Sequence, residues 1–108
     1  MHSIGDRVLA QWPAEMEWWY PGTVIGAEGG AYLIQYDDGD RARLTEAQLK
    51  NLYLGVSSRV FGNYQHGGHY YPGKITQVQG QAIHIGYDDG DHEWTTIGQV
   101  RVHHGDLR

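Results

Sequence analysis

Apolar residues occupy every second position in several short stretches of the chain. In residues 7–12 they run from Val8 to Trp12, and the same spacing recurs from Tyr32 to Tyr36. A period of two is the pattern of a β-strand with one buried face and one solvated face. Glycine pairs and Asp-Gly dipeptides, which favour tight turns, lie between these stretches. The pattern therefore predicts an all-β protein made of short strands.

The strand pattern occurs twice. The stretch YPGTVIGAEGGAYLIQYDDGD at residues 20–40 aligns without a gap on YPGKITQVQGQAIHIGYDDGD at residues 71–91, at an offset of 51 residues. Upstream, RVLAQW at residues 7–12 matches RVFGNY at residues 59–64, and the loop that follows is one residue shorter in the second copy. Self-similarity over most of a chain indicates two copies of one structural unit.

Each copy is predicted to form five short strands. A strongly bent five-stranded sheet of about 50 residues manages its edges by curling into a small barrel. The join between the copies, at residues 53–58, is too short for a free tether. We therefore predict two barrels in tandem, the first over residues 3–54 and the second over residues 57–105.

Charge narrows the class of partner. The chain has 108 residues, a net charge of −5 with neutral histidines, and no cysteine. Nucleic acid normally binds a basic surface, so this chain suits a basic protein or peptide better. The lack of cysteine excludes a disulfide framework and a thiolate metal site. With no apolar signal segment and no window of about 18 apolar residues, we expect a soluble intracellular monomer that does not associate with membranes. It would be nuclear in a eukaryote and cytoplasmic in a bacterium.

The ordered set of motifs resembles the Tudor domain. An aromatic residue ends the first strand, Tyr-Pro-Gly follows, and Tyr-Asp-Asp-Gly-Asp lies at the hairpin after the third strand, in both copies. The same motifs are similar to those of plant agenet domains and related Tudor-like branches. The resemblance extends over about residues 5–104, and it implies two tandem SH3-like, Tudor-like barrels.

Many Tudor domains hold a methylated lysine or arginine in an aromatic cage. A methylated ammonium is a poorly hydrated cation that aromatic faces attract by about 0.5–2 kcal/mol per good contact, and a carboxylate at the rim adds charge and accepts any remaining N–H. By position, the resemblance implies two cages, each with three aromatic residues and two acidic residues. The first cage would consist of Trp12, Tyr20, Tyr36, Asp38 and Asp40, and the second cage of Tyr64, Tyr71, Tyr87, Asp89 and Asp91.

Two features of the sequence modify this expectation. Methyl-lysine readers of the family often have another aromatic residue where this chain has Asp40 and Asp91, so open, acidic cages should favour lower methylation states or arginine. Tyr64 replaces the tryptophan of the first cage, and because tryptophan is the better cation–π partner we expect the first cage to be the stronger site. Three further tryptophans are predicted surface contacts, two of them in the loop between the first two strands. They are Trp18, Trp19 and Trp94.

Other functions remain open at this stage. The protein could instead be a scaffold that binds partners through other surfaces. In that case the tyrosines only fill the barrel ends, and the acidic motif only forms a turn. Exposed aromatic residues also stack on nucleic-acid bases, although the acidic turns repel phosphates. The sequence has no calcium-loop pattern, no histidine spacing typical of zinc, and no nucleophile–base pair. We therefore predict a binding module with no enzymatic activity, no metal and no cofactor.

Overall fold

The computed structural model describes residues 1–107 and divides into two compact units, Met1–Tyr53 and Leu54–Arg108. Both units are built from β-strands and short 3₁₀ turns, and the described residues contain no α-helix. The predictions of an all-β protein and of five strands in each copy are confirmed.

The first unit is an antiparallel sheet in the order β5-β1-β2-β3-β4. A 3₁₀ turn, Glu46–Gln48, connects the last two strands, as the sequence TEAQL suggests. The strands are β1 (Arg7–Trp12), β2 (Glu15–Glu28), β3 (Ala31–Tyr36), β4 (Arg41–Leu44) and β5 (Leu49–Asn51).

The second unit repeats this order as β10-β6-β7-β8-β9, again with antiparallel pairing. Further 3₁₀ turns lie at Tyr64–His66, Ile97–Gln99 and His104–Asp106. The strands are β6 (Arg59–Asn63), β7 (Tyr70–Gln79), β8 (Ala82–Tyr87), β9 (His92–Thr96) and β10 (Val100–His103).

Alternate strand residues form the core of each unit. The core cluster of the first unit is aliphatic except for Tyr36, and Trp12 and Tyr20 pack against it at its edge. Equivalent positions are buried in the second unit, because the register of the copies is the same. The first core contains Val8, Ala10, Val24, Ile34, Tyr36, Leu44 and Leu49; the second contains Val60, Ile75, Ile83, Ile85 and Val100.

A β-bulge bends the long second strand at the same place in each unit. The pairing of β2 with β3 shifts between Val24 and Gly26, and that of β7 with β8 shifts between Ile75 and Gln77. A bulge increases the local twist, which lets a small sheet curve around its own core. Of the aromatic residues predicted for the first cage, Trp12 and Tyr36 end β1 and β3, and Tyr20 lies within β2.

The glycine of each Tyr-Pro-Gly motif lies where two backbones approach closely. A Cβ atom at Gly73 would lie 2.7 Å from the carbonyl oxygen of Gly86 and 2.9 Å from Cγ2 of Ile85. At Gly22 the corresponding distances, to the carbonyl oxygen of Gln35 and Cγ2 of Ile34, are both 3.0 Å. Both glycines are therefore required by close packing rather than by an unusual backbone angle.

The acidic motif forms the turn after the third strand of each unit. Gly39 has φ of 97°, in the left-handed region that favours glycine. The carbonyl of Asp40 accepts the backbone N–H of Tyr36 at 2.8 Å, and Oδ1 of Asp38 accepts the N–H of Asp40 at 2.9 Å. The second copy has the same φ at Gly90 and the same two hydrogen bonds.

The first aspartate of the motif forms an ion pair with the start of the first strand. The guanidinium of Arg7 donates to both oxygens of Asp37 at 2.6 and 2.7 Å, and that of Arg59 donates to both oxygens of Asp88 at 2.8 Å. The hydrogen bond and charge of Arg59 hold the pKa of Asp88 below its usual range. Each pair ties the hairpin turn to the opposite strand in two-pronged geometry.

One local prediction is wrong. Trp18 and Trp19 do not lie in a loop, because β1 and β2 form a tight hairpin in which Trp12 pairs with Glu15. The second strand therefore begins at Glu15 and contains both tryptophans. Since side chains alternate along a strand, the two rings point to opposite faces of the sheet.

We expect Gly73→Ala to destabilise the second unit by about 2 kcal/mol or more, because the added methyl group overlaps backbone that has no room to move. Gly86→Ala is the matched control, since its nearest contact, Cγ2 of Thr76, lies at 3.4 Å, which is ordinary van der Waals distance. Denaturant unfolding of the two variants measures the difference. Equal free energies of unfolding would contradict this account of the motif.

We expect Asp88→Asn to lower the melting temperature at neutral pH and to have no effect in strong acid. A carboxylate whose pKa is lowered by folding contributes stability above its ordinary pKa range, and this contribution is lost as the pH falls through the lowered pKa. Thermal unfolding at pH 7 and at about pH 2 compares the variant with wild type. Asp37→Asn should have the larger effect, because the Arg7–Asp37 pair is less exposed. A difference that persists in acid would exclude the ion pair as its cause.

Candidate functional site

Three strands bring the aromatic residues of the first cage together. Trp12 ends β1, Tyr20 lies in β2 and Tyr36 ends β3. The Trp12 ring centroid lies 5.3 Å from that of Tyr36 and 6.2 Å from that of Tyr20, and the two tyrosine rings are 6.3 Å apart. All three pairs have interplanar angles between 71° and 88°. These edge-to-face contacts are the favoured geometry for aromatic side chains and hold the rings roughly at right angles.

The second cage has the same arrangement. The ring of Tyr64 lies 5.4 Å from that of Tyr87 and 6.3 Å from that of Tyr71, with interplanar angles of 88° in both pairs. These rings surround a cavity of about 240 Å³. The residues that line it are the five predicted for the second cage, Tyr64, Tyr71, Tyr87, Asp89 and Asp91.

Carboxylates lie close enough to the rings to change the properties of the tyrosines. The pKa of Tyr36 is strongly raised, first by burial and then by the charges of Asp38 and Asp40. The pKa of Tyr64 is raised first by the charge of Asp91, and further by burial and other carboxylates. A negative charge that opposes ionisation of a tyrosine equally favours a cation placed at the same point. Both cages therefore combine aromatic rings with a negative electrostatic potential.

The buried tyrosine of each cage is fixed by its hydroxyl group, and the acceptor differs between the units. The hydroxyl of Tyr36 donates to the backbone carbonyl of Gln11 at 2.6 Å. The hydroxyl of Tyr87 donates to Oε2 of Glu93 at 2.6 Å. Burial, followed by this bond to Glu93, strongly raises the pKa of Tyr87. Both phenols therefore stay neutral and act as hydrogen-bond donors.

Glu93 is a residue of this site that the sequence analysis did not identify. It lies on β9, outside the YDDGD motif, and does not line the cavity itself. Besides the Tyr87 hydroxyl, it accepts the backbone N–H of Gln65 at 3.2 and 3.3 Å. The repeat could have identified it. The gapless alignment places Glu93 at the position of Ala42, so a charged residue occupies a strand position that is apolar in the first copy.

The structure places the three tryptophans predicted as surface contacts in different environments, and none of them lines the cavity of the second cage. Trp19 is 2% exposed and offers no surface to a ligand, which contradicts its assignment as a surface contact, whereas Trp18 is half-buried. Trp94 is 47% exposed, but its ring lies 5.2 Å from that of His84 on the strand face opposite Glu93. Trp94 is therefore an exposed aromatic residue on a different surface, and it does not line the cavity.

Two further searches bear on other classes of function. Within residues 1–107 no three histidine, aspartate or glutamate side chains are grouped so as to hold a metal ion. Within the same part of the chain, no helix has the length and apolar character needed to cross a membrane.

Comparison with known proteins shows a sequence match in the first unit and a structural similarity along the chain. Residues 4–52 match the family described as the DNA repair protein Crb2 Tudor domain. The chain is similar in structure to the tandem Tudor domains of Crb2, with a TM-score of 0.66, 17% identity, and coverage of 94% of this chain and 80% of that one.

Weaker similarities involve agenet domains. The tandem agenet domains 3–4 of ADCP1 give a TM-score of 0.47 at 13% identity, covering 95% of this chain and 81% of theirs. Agenet domains 3–4 of AGDP1 from Arabidopsis thaliana give 0.49 at 13% identity, covering 95% and 83%. No curated protein sequence matches the chain. The first unit therefore matches a Tudor family by sequence, and the chain has the fold of tandem Tudor domains along its length.

Proposed function

We propose that this protein is a non-enzymatic binding module that holds cationic side chains of a basic protein partner, with methylated lysine and arginine as the preferred class. The observation that carries the proposal is the second cage, where three tyrosine rings and two carboxylates from two strands, a 3₁₀ turn and a hairpin turn line one cavity. The matching set of rings in the first unit supports it, as does the membership of the fold in a family of protein-interaction modules.

The arrangement suits a methylated ammonium or guanidinium group for two reasons. Ring faces at right angles surround a rounded cation on several sides, and each face attracts it through its quadrupole. Carboxylates at the rim add Coulombic attraction and accept N–H groups that methylation has left. A neutral apolar side chain would gain only the contact area and would leave the carboxylates without a partner.

The dimensions of the cavity favour one side chain over a larger ligand. Its volume of about 240 Å³ lies below the range of about 300–1,000 Å³ typical of sites for drug-sized molecules. Asp89 and Asp91 form part of its lining, so the cavity is not enclosed by aromatic rings alone. An open, acidic cavity suits mono- or dimethylated groups, which keep an N–H to donate, better than a fully methylated ammonium.

A second candidate function is a protein-interaction scaffold without recognition of a methyl mark. The observation that favours it is Trp94, which exposes 47% of its surface beside His84 on the outer face of β9. Exposed tryptophans are common anchors in protein–protein interfaces. Nucleic acid is disfavoured, because Asp89 and Asp91 on the rim of the second cage repel phosphates.

We expect Tyr64→Ala and Trp12→Ala each to weaken cation binding in its own unit while leaving the other unit intact. NMR titration of the labelled protein with mono-, di- and trimethyl-lysine and dimethyl-arginine peptides, beside unmodified peptides, would follow both cages separately. Loss of a cation–π wall should weaken binding by about tenfold or more in a site that depends on it.

Trp94→Ala is the control for this experiment, since it removes an exposed aromatic residue that does not line the second cage. Wild-type affinity in folded Tyr64→Ala and Trp12→Ala proteins would contradict the cages as binding sites. Loss of partner binding in Trp94→Ala alone would favour the scaffold. Flat spectra with every peptide at millimolar concentration would contradict recognition of a methyl mark altogether.

A further inference from the structure

The two units have the same strand register around their cages, but they differ in one side chain: the second unit has Glu93 where the first has Ala42. Glu93 pairs with Ile85 on the neighbouring strand, and Ala42 pairs with Ile34 in the first unit. Both isoleucines are fully buried, and Ala42 packs against the apolar core. The second unit therefore has a carboxylate on the core-facing side of the strand, where the first unit has a methyl group.

A carboxylate in a half-buried position needs hydrogen-bond donors, and Glu93 has two. The hydroxyl of Tyr87 donates to it at 2.6 Å, within the short range of charge-assisted bonds. The backbone N–H of Gln65 donates to it from the loop after β6. These bonds compensate its loss of hydration, and they connect it to two walls of the second cage.

The loop that Glu93 contacts carries the Tyr64 ring. Gln65 and His66 have φ of 50° and 59°, in the left-handed region that residues other than glycine rarely adopt. The first unit needs no such support, because its first wall follows directly from the tight hairpin in which Trp12 pairs with Glu15. By accepting the N–H of Gln65, Glu93 helps to hold the loop that positions the Tyr64 ring.

The charge near the walls also differs. Tyr64 lies in the field of three carboxylates, those of Asp91, Glu93 and Asp89. The pKa of Tyr36, in the first cage, is raised by burial and by the carboxylates of Asp38 and Asp40, whereas that of its counterpart Tyr87 is raised by burial and by those of Glu93 and Asp89. The third carboxylate has no equivalent in the first unit, since the corresponding residue is Ala42.

We propose that Glu93 is a positioning and selectivity residue that makes the second cage the stronger and more charge-selective cation site. It acts by holding Tyr64 and Tyr87 in place and by adding a third negative charge behind them. The inference rests on the proposed function, and it reverses the ranking expected from Trp12. The first cage, with its indole and two carboxylates, discriminates less between a cation and a neutral group of the same shape.

Two blocked amino-acid probes separate charge from shape. One is Nε-trimethyllysine, and the other is its neutral isostere, in which carbon replaces the ammonium nitrogen. In the wild-type protein we expect the ratio of cation to isostere affinity, read from NMR shifts of each cage, to be higher in the second cage. Equal ratios, or a higher ratio in the first cage, would overturn the proposal.

Glu93→Gln tests the residue directly. It keeps an acceptor for the Tyr87 hydroxyl and removes the charge, so we expect trimethyllysine to bind the second cage on the order of fivefold more weakly. Isostere affinity and the first cage should change by less than about twofold. Glu28→Gln is the control, because it makes the same change of net charge at an exposed end of β2. Glu93→Asp should restore part of the preference for the cation.

The remaining outcomes are decisive. Equal losses for both probes in Glu93→Gln would reduce Glu93 to a structural support and overturn its role in selectivity. If Glu93→Gln does not fold, the wild-type affinity ratios decide the question. If neither cage binds either probe or any mono- or dimethylated peptide, the proposed function fails, and titration of the Tyr64 hydroxyl in the free protein still measures the field of Glu93. A Tyr64 pKa that does not fall in Glu93→Gln would overturn the inference independently.

Discussion

The turn that ends the third strand of each unit is the interaction on which the rest of the structure depends. Its backbone hydrogen bond between the N–H of Tyr36 and the carbonyl of Asp40 closes the hairpin, and the same bond recurs in the second unit. The closed turn fixes the aromatic ring of Tyr36 at its first residue and the carboxylates of Asp38 and Asp40 two and four residues later. One short motif therefore determines both the register of the sheet and the composition of the cage.

Small size explains why the aromatic residues serve the fold and the site together. A unit of this length buries a limited fraction of its surface, so rings at the end of the core contribute to stability. Tyr36 is a core residue by its burial and a cage wall by its position. Mutations in the cages consequently need a measurement of folding beside every measurement of binding.

The repeat made most of the fold and the grouping of the aromatic residues predictable, because the same residues in the same order in two copies constrain one another. Strand alternation and Asp-Gly turns led directly to five strands per unit. Trp19 was misplaced, since nothing local in the sequence shows that the first hairpin is tight enough to extend β2 back to Glu15. Glu93 was missed for another reason: its role depends on hydrogen bonds from Tyr87 on the neighbouring strand and from Gln65, 28 residues earlier, which follow from strand pairing and tertiary packing.

Because the two units share one strand register, side chains beside the two cages can differ while the strands keep the same pairing. Because β3–β4 and β8–β9 pair identically, one substitution at the position of Ala42 or Glu93 alters the chemistry beside a cage without moving a strand. Each copy can therefore change its side chain at this position while the other keeps its own. The same property makes the pair a ready scaffold for engineering, in which side chains are exchanged between copies one position at a time.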